Sequence, residues 1–469
     1  MKDEIIETTT TSEWFDATKV EEKPTRLSGV VFILLPVISI LLTIAYGGVD
    51  IWAVGLLSIG VGLIAILWLI DAFLKRQFSF HTNPLQLPIV GLILIGLIQL
   101  LPLGSSPVPG DLLSAPASQA LSIAPYLTQI AVVLLILYLI YFAAALTFIN
   151  SQSRLRKITF TLVAFGAFMA FLGVIQFLSG TESIYGLRAT NGTSPFASFG
   201  NKHHFAALME MLIGLTMSLL YGEATKKDKR LLLIIAVVLM GIAVILTGSR
   251  GGLLSLLGVV GFVTFFNLFS KSKQRPEGKS SAAKSSKKLI LIISSLAFIL
   301  ILFSSVLLLG GENVLLRGLG VTPQTDISTG RGHFWQIALQ VIRDNPVLGT
   351  GLDTFGNIFP KYDTWNGNLR VEQVHNDYLQ VFSDAGIFGF ICAIAFIFLL
   401  FRQGLKTIRQ TSDRFRRGVA TGALAGCFGI LFHSFFDFPL RTPANAFIFL
   451  TLVVLATGTI NYPKLYRRK

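Results

Sequence analysis

Two arginines and one histidine stand in short polar segments of an otherwise apolar chain. Arg250 lies in LTGSRGGLLSLL, Arg331 in STGRGHFW and His375 in VEQVHNDYLQ. Arginine binds phosphate groups through two parallel hydrogen bonds, and histidine accepts protons near neutral pH. Together these residue types predict a site that holds an anionic, activated substrate and deprotonates an acceptor hydroxyl.

Two of the three residues also have a structural interpretation. Arg250, in a turn of one or two residues between two helices, can reach lipid headgroups, and a lone histidine at a helix entrance is more often structural. Arg331 is different, because a cation at a helix N-terminus opposes the helix dipole. Its position therefore favours a ligand over a role in the helix itself.

A second set of polar residues flanks these positions. Asn376 or Asp377 can cap the helix that follows. Glu210 lies well inside an apolar segment, where a carboxylate is costly and is therefore a functional candidate; the alternative is that it pairs with a nearby arginine. Adjacent histidines such as His203 and His204 face different sides of a helix and chelate metal poorly. The supporting candidates are Asn201, His204, Glu210, Arg343, Asn376 and Asp377, and no metal or cofactor is expected.

One further pair of residues, His433 and Asp437, has a predicted structural role. His433 and Asp437 lie four residues apart in HSFFDFPLRTPAN, a spacing that places both on one helical face. We interpret them as a hydrogen-bonded pair that locks the end of that helix.

The composition defines the class of protein that carries these residues. Of the 469 residues, 52% are hydrophobic and 14% are charged, and the mean hydropathy is +0.68, values that indicate a helical membrane protein with many spans. The net charge of +14 fits basic cytoplasmic loops better than nucleic-acid binding. The two cysteines, Cys392 and Cys427, lie in apolar runs and suggest neither a disulfide nor a metal cluster.

About twelve apolar segments are long enough to span a bilayer. With both termini in the cytoplasm, the predicted cytoplasmic segments hold 30 of the 39 Lys and Arg residues, as the positive-inside rule requires. The predicted spans are 29–47, 51–74, 86–103, 124–149, 158–179, 203–222, 231–248, 251–270, 289–309, 379–401, 418–436 and 443–460.

This count divides the chain into five parts. We expect a cytoplasmic tail at 1–28, helices 1–9 over 29–309, a large outer loop at 310–378, helices 10–12 over 379–460 and a cytoplasmic tail at 461–469. The outer loop contains an amphipathic helix that starts near Arg331, capped by Ser328 or Thr329, and ends at Asn345-Pro346. Its apolar residues are Phe334, Ile337, Ala338, Val341 and Ile342.

Two features of the outer loop have alternative interpretations. The amphipathic helix either lies on the bilayer surface or caps the helix bundle. The aromatic residues Trp335, Phe355, Tyr362 and Trp365 either stack on sugar rings or pack the loop.

Several segments in order resemble the O-antigen ligase / Wzy-type polymerase superfamily of bacterial membrane glycosyltransferases. They are TGSRGGLLSLL, GRGHFW followed by NPVLGTGLDTF, VHNDYLQVFSDAGIFGF and HSFFDFPLRTPAN. The similarity covers about residues 190–445, because ASFGNKHHFAALM also resembles the family's pattern.

The resemblance implies an all-α polytopic fold of GT-C type in the bacterial inner membrane. Family members transfer a glycan from undecaprenyl diphosphate to an acceptor hydroxyl at the periplasmic face, without metal and with inversion at the anomeric carbon. By motif, the family's functional arginines correspond to Arg250 and Arg331, as diphosphate ligands. Its functional histidine corresponds to His375, which orients or deprotonates the acceptor hydroxyl.

The residues do not separate the reactions within the superfamily. A ligase that moves the glycan to a glycolipid acceptor such as lipid A-core is favoured. The alternatives are a Wzy-type polymerase of lipid-linked repeat units and a protein O-oligosaccharyltransferase. A transporter of lipid-linked glycans is disfavoured, because the membrane interior has few ionisable residues and the candidate site lies at the outer face rather than at the midplane.

Overall fold

The computed structural model is almost entirely α-helical. It describes residues 25–103, 119–190, 195–222, 225, 227–269, 289, 292–298, 300, 304, 330–365, 367 and 370–460. The helices are α1 (Arg26–Ile44), α2 (Ile51–Lys75), α3 (Gln86–Gln99), α4 (Pro125–Phe148), α5 (Gln152–Leu178), α6 (Lys202–Tyr221), α7 (Lys227–Leu246), α8 (Arg250–Phe269), α9 (Arg331–Asp344), α10 (Phe355–Tyr362), α11 (Asp377–Gln410), α12 (Arg414–His433) and α13 (Pro443–Thr457). Two 3-10 turns, Tyr46–Gly48 and Pro439–Arg441, and a hairpin of β1 (Ser183–Ile184) and β2 (Arg188–Ala189) complete the described elements.

Eight of the described helices, α1, α2, α4, α5, α6, α7, α8 and α11, are long and apolar enough to cross a membrane. Two more, α3 and α13, are apolar but shorter, at 14 and 15 residues. The chain is therefore an all-α, multi-pass membrane protein, as its composition predicts.

The predicted spans agree with the helices where both can be compared. Eleven of the twelve predicted segments overlap one described helix each. More than half of the ninth segment, 289–309, lies outside the described residues. The described stretch 292–298 within it is helical. The total of twelve spans remains a prediction, as does the outer loop at 310–378, since residues 310–329 also lie outside the described part.

The centre of the bundle is formed by α6, α12 and α13. Nearly every residue of these three helices is buried. Glycines let α6 and α12 approach backbone to backbone: a Cβ at Gly214 would lie 2.7 Å from the nitrogen of Gly426, and one at Gly422 would lie 2.8 Å from the carbonyl oxygen of Gly214. Close contact through small residues is the usual way in which membrane helices pack.

The peripheral helices present their apolar residues outward instead. On α2, for example, Leu56, Ile59 and Ile66 are exposed, whereas Leu57, Val61 and Ile64 of the same helix face the core. In water such a surface would be unfavourable, but hydrocarbon chains cover it at no cost. The exposed faces therefore mark the lipid boundary of the bundle.

One long helix, α11, is broken near its start. Gly386 adopts φ 63° and ψ −162°, and a Cβ there would lie 2.2 Å from the carbonyl oxygen of Val347. The side chain of Gln99 on α3 donates to the carbonyl oxygen of Asp384, at 2.8 Å. This bond satisfies a backbone carbonyl group just before the break in α11. The loop 346–354 packs against the same break.

A partly buried charge cluster fastens the same loop to the end of the bundle. Arg441 donates to Asp353 Oδ1 at 2.6 Å and also to Asp384, while Gln373 donates to Asp353. Burial would lower the pKa of Arg441, but the two carboxylates raise it above its ordinary value. This cation therefore stays charged and ties the α12–α13 connection to α11.

The amphipathic helix α9 packs against protein. It starts at Arg331, ends at Asn345 and buries the five predicted apolar residues. Four of these residues form a small core with Phe355, Phe359, Val371 and Val374. Its apolar face is covered by α10 and the approach to α11, so α9 caps the bundle. The two predicted capping residues, Ser328 and Thr329, lie outside the described residues.

Candidate functional site

A carboxylate that joins three elements lies at the centre of the site. Asp437 follows the end of α12; its Oδ2 pairs with Arg331 Nη2 at 2.9 Å, and its Oδ1 lies 3.3 Å from His375 Nδ1. A weaker contact of 4.0 Å links Oδ2 to His203 Nδ1 on α6. Arg331 and His375, far apart in sequence, are therefore neighbours through one acid.

The environment of Asp437 keeps it ionised. Its side chain is 1% exposed. Burial raises the pKa of the Asp437 carboxyl, but the hydrogen bond from His375 and the surrounding positive charge, including Arg331, outweigh burial and hold the pKa well below its usual range. An ionised carboxylate only accepts hydrogen bonds, so Asp437 favours a proton on the Nδ1 of His375 that faces it, and in the neutral imidazole Nε2 is then the acceptor.

The imidazole of His375 is held between two phenyl rings. Phe334 of α9 stacks against it at 5.8 Å and 30°, and Phe438 meets it edge-on at 4.7 Å and 79°. The backbone at His375 has φ +57°, a conformation rare for residues other than glycine. A strained backbone and two ring contacts fix the direction of this side chain, which remains 30% exposed.

Arg331 is the first residue of α9 and follows Gly330, which has φ +84° and provides no side-chain cap. The Arg331 side chain is 20% exposed, and Nη2 engages Asp437. A guanidinium carries five N–H donors. Arg331 can therefore contact Asp437 and a ligand anion at the same time.

Arg250 begins α8 beside the same cluster. The turn before it is Thr247–Ser249, one residue longer than the predicted maximum. Ser249 caps α8 by accepting from the nitrogen of Gly252 at 3.1 Å, and its hydroxyl pairs with His203 Nδ1 at 2.8 Å. Through Ser249 and His203, the N-terminus of α8 is attached to the surroundings of Asp437.

The start of α8 packs on a buried pair of polar side chains, Glu210 and His433. Glu210 of α6 lies 3.2 Å from His433 Nδ1 of α12, and both side chains are at most 1% exposed. A Cβ at Gly251 would lie 3.0 Å from the His433 ring, and one at Gly252 would lie 3.1 Å from Glu210 Oε1. The glycines after Arg250 thus let the start of α8 rest directly on this pair.

These contacts correct two expectations. The side chain of His433 pairs with Glu210, and that of Asp437 pairs with Arg331 and His375, so the two side chains do not bond each other. The hydrogen bond that joins the two residues is a backbone one, from the nitrogen of Asp437 to the carbonyl oxygen of His433 at 3.1 Å. Helical spacing predicts that the two side chains share one face, but α12 ends at His433, and in the turn that follows the Asp437 carboxylate contacts Arg331 and His375 instead. The partner of Glu210 is likewise a histidine, not an arginine.

One segment of the chain matches a model of a known protein family. Residues 235–394 match the family model described as O-Antigen ligase (Wzy_C). The matched segment is about a third of the chain, and over this segment the chain is similar to the O-antigen ligase family. A search of curated proteins gave no match.

Similarity to the O-antigen ligase family supports, in general terms, a function in the transfer of lipid-linked glycans, and the long apolar helices support a membrane setting. The matched segment runs from α7 into α11 and contains Arg250, Arg331 and His375. Asp437, which brings two of these residues together, lies beyond it.

Four of the supporting candidates hold the backbone around the site. Asn201 and Asn376 are the N-caps of α6 and α11. Asp377 accepts from the hydroxyl of Ser434 at 2.7 Å and so fixes the turn after α12. His204 Nδ1 bonds Thr442 at 2.6 Å, facing away from His203 as adjacent helical residues must.

The remaining supporting candidate, Arg343, lies elsewhere. Its side chain is 77% exposed and pairs with Asp344, twelve residues along α9 from Arg331, or about 18 Å at 1.5 Å per residue. The structure therefore does not bring Arg343 to the site. Within the described residues, no group of three or more His, Cys, Asp or Glu side chains is arranged to hold a metal ion.

Sequence reasoning missed His203 and the role of Asp437. His203 is one residue away from the chosen candidate, and only the rotation of α6 decides which histidine faces Asp437. Asp437 stood in a recognised motif, but its partners come from segments 62 and 106 residues away. No local pattern reveals such distant partners.

Proposed function

We propose that this protein is an O-antigen ligase-type enzyme. It transfers a glycan from undecaprenyl diphosphate to an acceptor hydroxyl, such as one on lipid A-core. In this proposal the site faces the periplasm, both termini lie in the cytoplasm of a bacterial cell, and 310–378 forms the outer part of the catalytic unit.

The observation that carries the proposal is the joint contact of Asp437 with Arg331 and His375. Such an arrangement places a fixed cation and an oriented base side by side. A glycosyl transfer from a diphosphate needs both groups close together, because charge develops on the leaving phosphate while the attacking hydroxyl loses its proton.

The proposed step assigns a role to each residue. The acceptor oxygen forms a bond to the anomeric carbon on the face opposite the diphosphate, and the bond from that carbon to the phosphate oxygen breaks with inversion. Arg250 and Arg331 stabilise the electron pair that leaves with the diphosphate, while His375 Nε2 takes the hydroxyl proton. Asp437 is a positioning residue that holds the imidazole tautomer and its direction.

The test is to replace His375 with alanine in the source cells and to size the glycans that accumulate on the lipid carrier. The matched control is His81→Ala, because His81 bonds Thr459 near the end of α13, away from the site. We expect long glycans stranded on the lipid in the His375 variant and an unchanged pool in the control.

The other outcomes decide among the alternatives. Accumulated single repeat units would identify a polymerase instead of a ligase. Loss of glycan from a secreted or surface protein, with normal lipid A-core, would identify a protein O-oligosaccharyltransferase. An unchanged lipid-linked pool would refute the proposed role of His375.

A further inference from the structure

One large aromatic side chain beside the site is held in a fixed orientation and is exposed to solvent. Trp365, in the segment between α10 and α11, is 43% exposed. Of the four aromatic residues predicted for sugar stacking or packing, Phe355 is fully buried, Trp335 and Tyr362 are half-buried, and Trp365 alone of these four is exposed. An exposed indole that merely filled space would gain little from being fixed in one orientation.

One face of the Trp365 ring is covered by an imidazole. His333 of α9 stacks on it with the ring centroids 4.1 Å apart and the planes within 6°. His333 is itself fixed, because its Nε2 lies 2.8 Å from Asp363 Oδ1, and Asp363 also accepts from the backbone nitrogen of Trp365 at 3.0 Å. The ring is therefore held at both its face and its backbone, and its exposed area lies on the remaining surface.

The ring also lies close to the proposed reacting groups. A Cβ at Gly330, the residue before Arg331, would lie 3.3 Å from Trp365 Cη2. Phe334 meets the Trp365 ring at 6.0 Å and stacks on His375 at 5.8 Å. Trp365 is thus adjacent to the start of α9 and separated from His375 by one phenyl ring.

We propose that Trp365 is a sugar-binding platform for the lipid-linked donor, and that it stacks on the sugar ring next to the diphosphate. This inference rests on the proposed function. The C–H face of a sugar ring is apolar and packs flat on an indole, while the hydroxyls at its rim remain free for hydrogen bonds. The donor is favoured over the acceptor because Trp365 touches the residue before Arg331, the proposed diphosphate ligand, whereas the phenyl ring of Phe334 separates it from His375.

A competing explanation is that Trp365 anchors the loop at the membrane interface, where tryptophan is enriched. The two explanations predict different ligand dependence. A platform discriminates a lipid with a sugar from the same lipid without one, whereas an interfacial anchor affects both lipids equally.

The experiment measures equilibrium binding of two probes to purified full-length protein in lipid nanodiscs. One probe is the lipid-linked glycan extracted from the source cells, and the other is undecaprenyl diphosphate without sugar. The variants are Trp365→Ala, Trp365→Leu, which keeps apolar bulk without a ring, and Trp365→Phe, which keeps a ring. The control is Trp52→Ala, because Trp52 is 48% exposed and the turn before it packs on Thr442 at the same end of the bundle.

We expect the alanine and leucine variants to bind the lipid-linked glycan about tenfold more weakly, equivalent to about 1.4 kcal/mol. Their affinity for sugar-free undecaprenyl diphosphate should stay within about threefold of wild type, as should both affinities of Trp365→Phe and of the Trp52 control. In transfer assays the donor KM should rise in Trp365→Ala while the acceptor KM does not.

Three contrary results would each overturn the platform. Equal weakening of both probes would make Trp365 an anchor or a support for Arg331, and a rise in acceptor KM alone would assign the ring to the acceptor. Wild-type protein that binds the two probes equally would also refute it. Wild-type protein that discriminates the probes through Trp365 but transfers no glycan would refute the proposed function and leave the platform standing.

Discussion

Replacing Asp437 with asparagine is the sharpest test of the geometry, because asparagine has nearly the same shape but no charge. The variant keeps an oxygen near His375 and removes the anion that pairs with Arg331. An amide also presents N–H donors, so it no longer dictates which imidazole nitrogen carries the proton. The expected defect is therefore in catalysis more than in folding.

The magnitude follows from the contacts. A hydrogen bond to a charged group contributes about 1.5–3 kcal/mol, and the asparagine retains a neutral bond at one of the two positions. His375 and Arg331 are 30% and 20% exposed, so water compensates part of the loss. We expect a net loss of about 2.7 kcal/mol of transition-state stabilisation, or about a hundredfold in kcat/KM.

The assay is glycan transfer by purified protein with varied donor and acceptor concentrations. Because Asp437 acts through His375 and Arg331, kcat should fall more than donor KM rises. The control is Asp344→Asn, since Asp344 pairs with an exposed arginine at the far end of α9. A variant with more than a third of wild-type kcat/KM would refute the reasoning that Asp437 positions the site.

Three further predictions test the surroundings of the site. Gly251→Ala should lower transfer activity at least tenfold, because the new Cβ would lie 3.0 Å from the His433 ring, whereas Gly261→Ala on the same helix, with nothing within 4 Å of its Cβ, should leave it unchanged; activity assays of both variants check this. Arg343→Ala should keep kcat/KM within twofold, and a larger loss would show that this exposed arginine binds substrate. The pKa of Asp437 is depressed in the folded protein, so its stabilising contribution is present above the unfolded pKa of about 3.9 and is lost as the pH falls through the lower folded pKa. Thermal melts of wild type and the asparagine variant should accordingly differ by a constant amount from pH 8 to about pH 5, and a difference that vanishes near pH 6 would contradict the assignment.

Much of the fold could be predicted because its signals are local. Long apolar runs must form helices in hydrocarbon, where each backbone group needs a partner within its own segment. The amphipathic pattern of α9 likewise predicted its start, its end and all five buried residues, since helical periodicity depends only on neighbouring positions. The caps at Asn201 and Asn376 follow from the same local chemistry.

The partners of the polar residues could not be predicted in this way. Spacing alone suggested that His433 bonds Asp437, because both fall on one face if the helix continues. The helix instead ends at His433. The His433 side chain therefore pairs with Glu210, and the Asp437 carboxylate pairs with Arg331.

The sequence by itself determined the membrane class, the position of most helices and the residue types able to bind a diphosphate and move a proton. Tertiary structure alone decided that Asp437 connects Arg331 with His375, that His203 faces this acid while His204 does not, and that Arg343 lies elsewhere. The physical reason is one of range. Helix formation and burial depend on residues a few positions apart, whereas an ion pair forms between whichever charges the packed helices bring within about 4 Å.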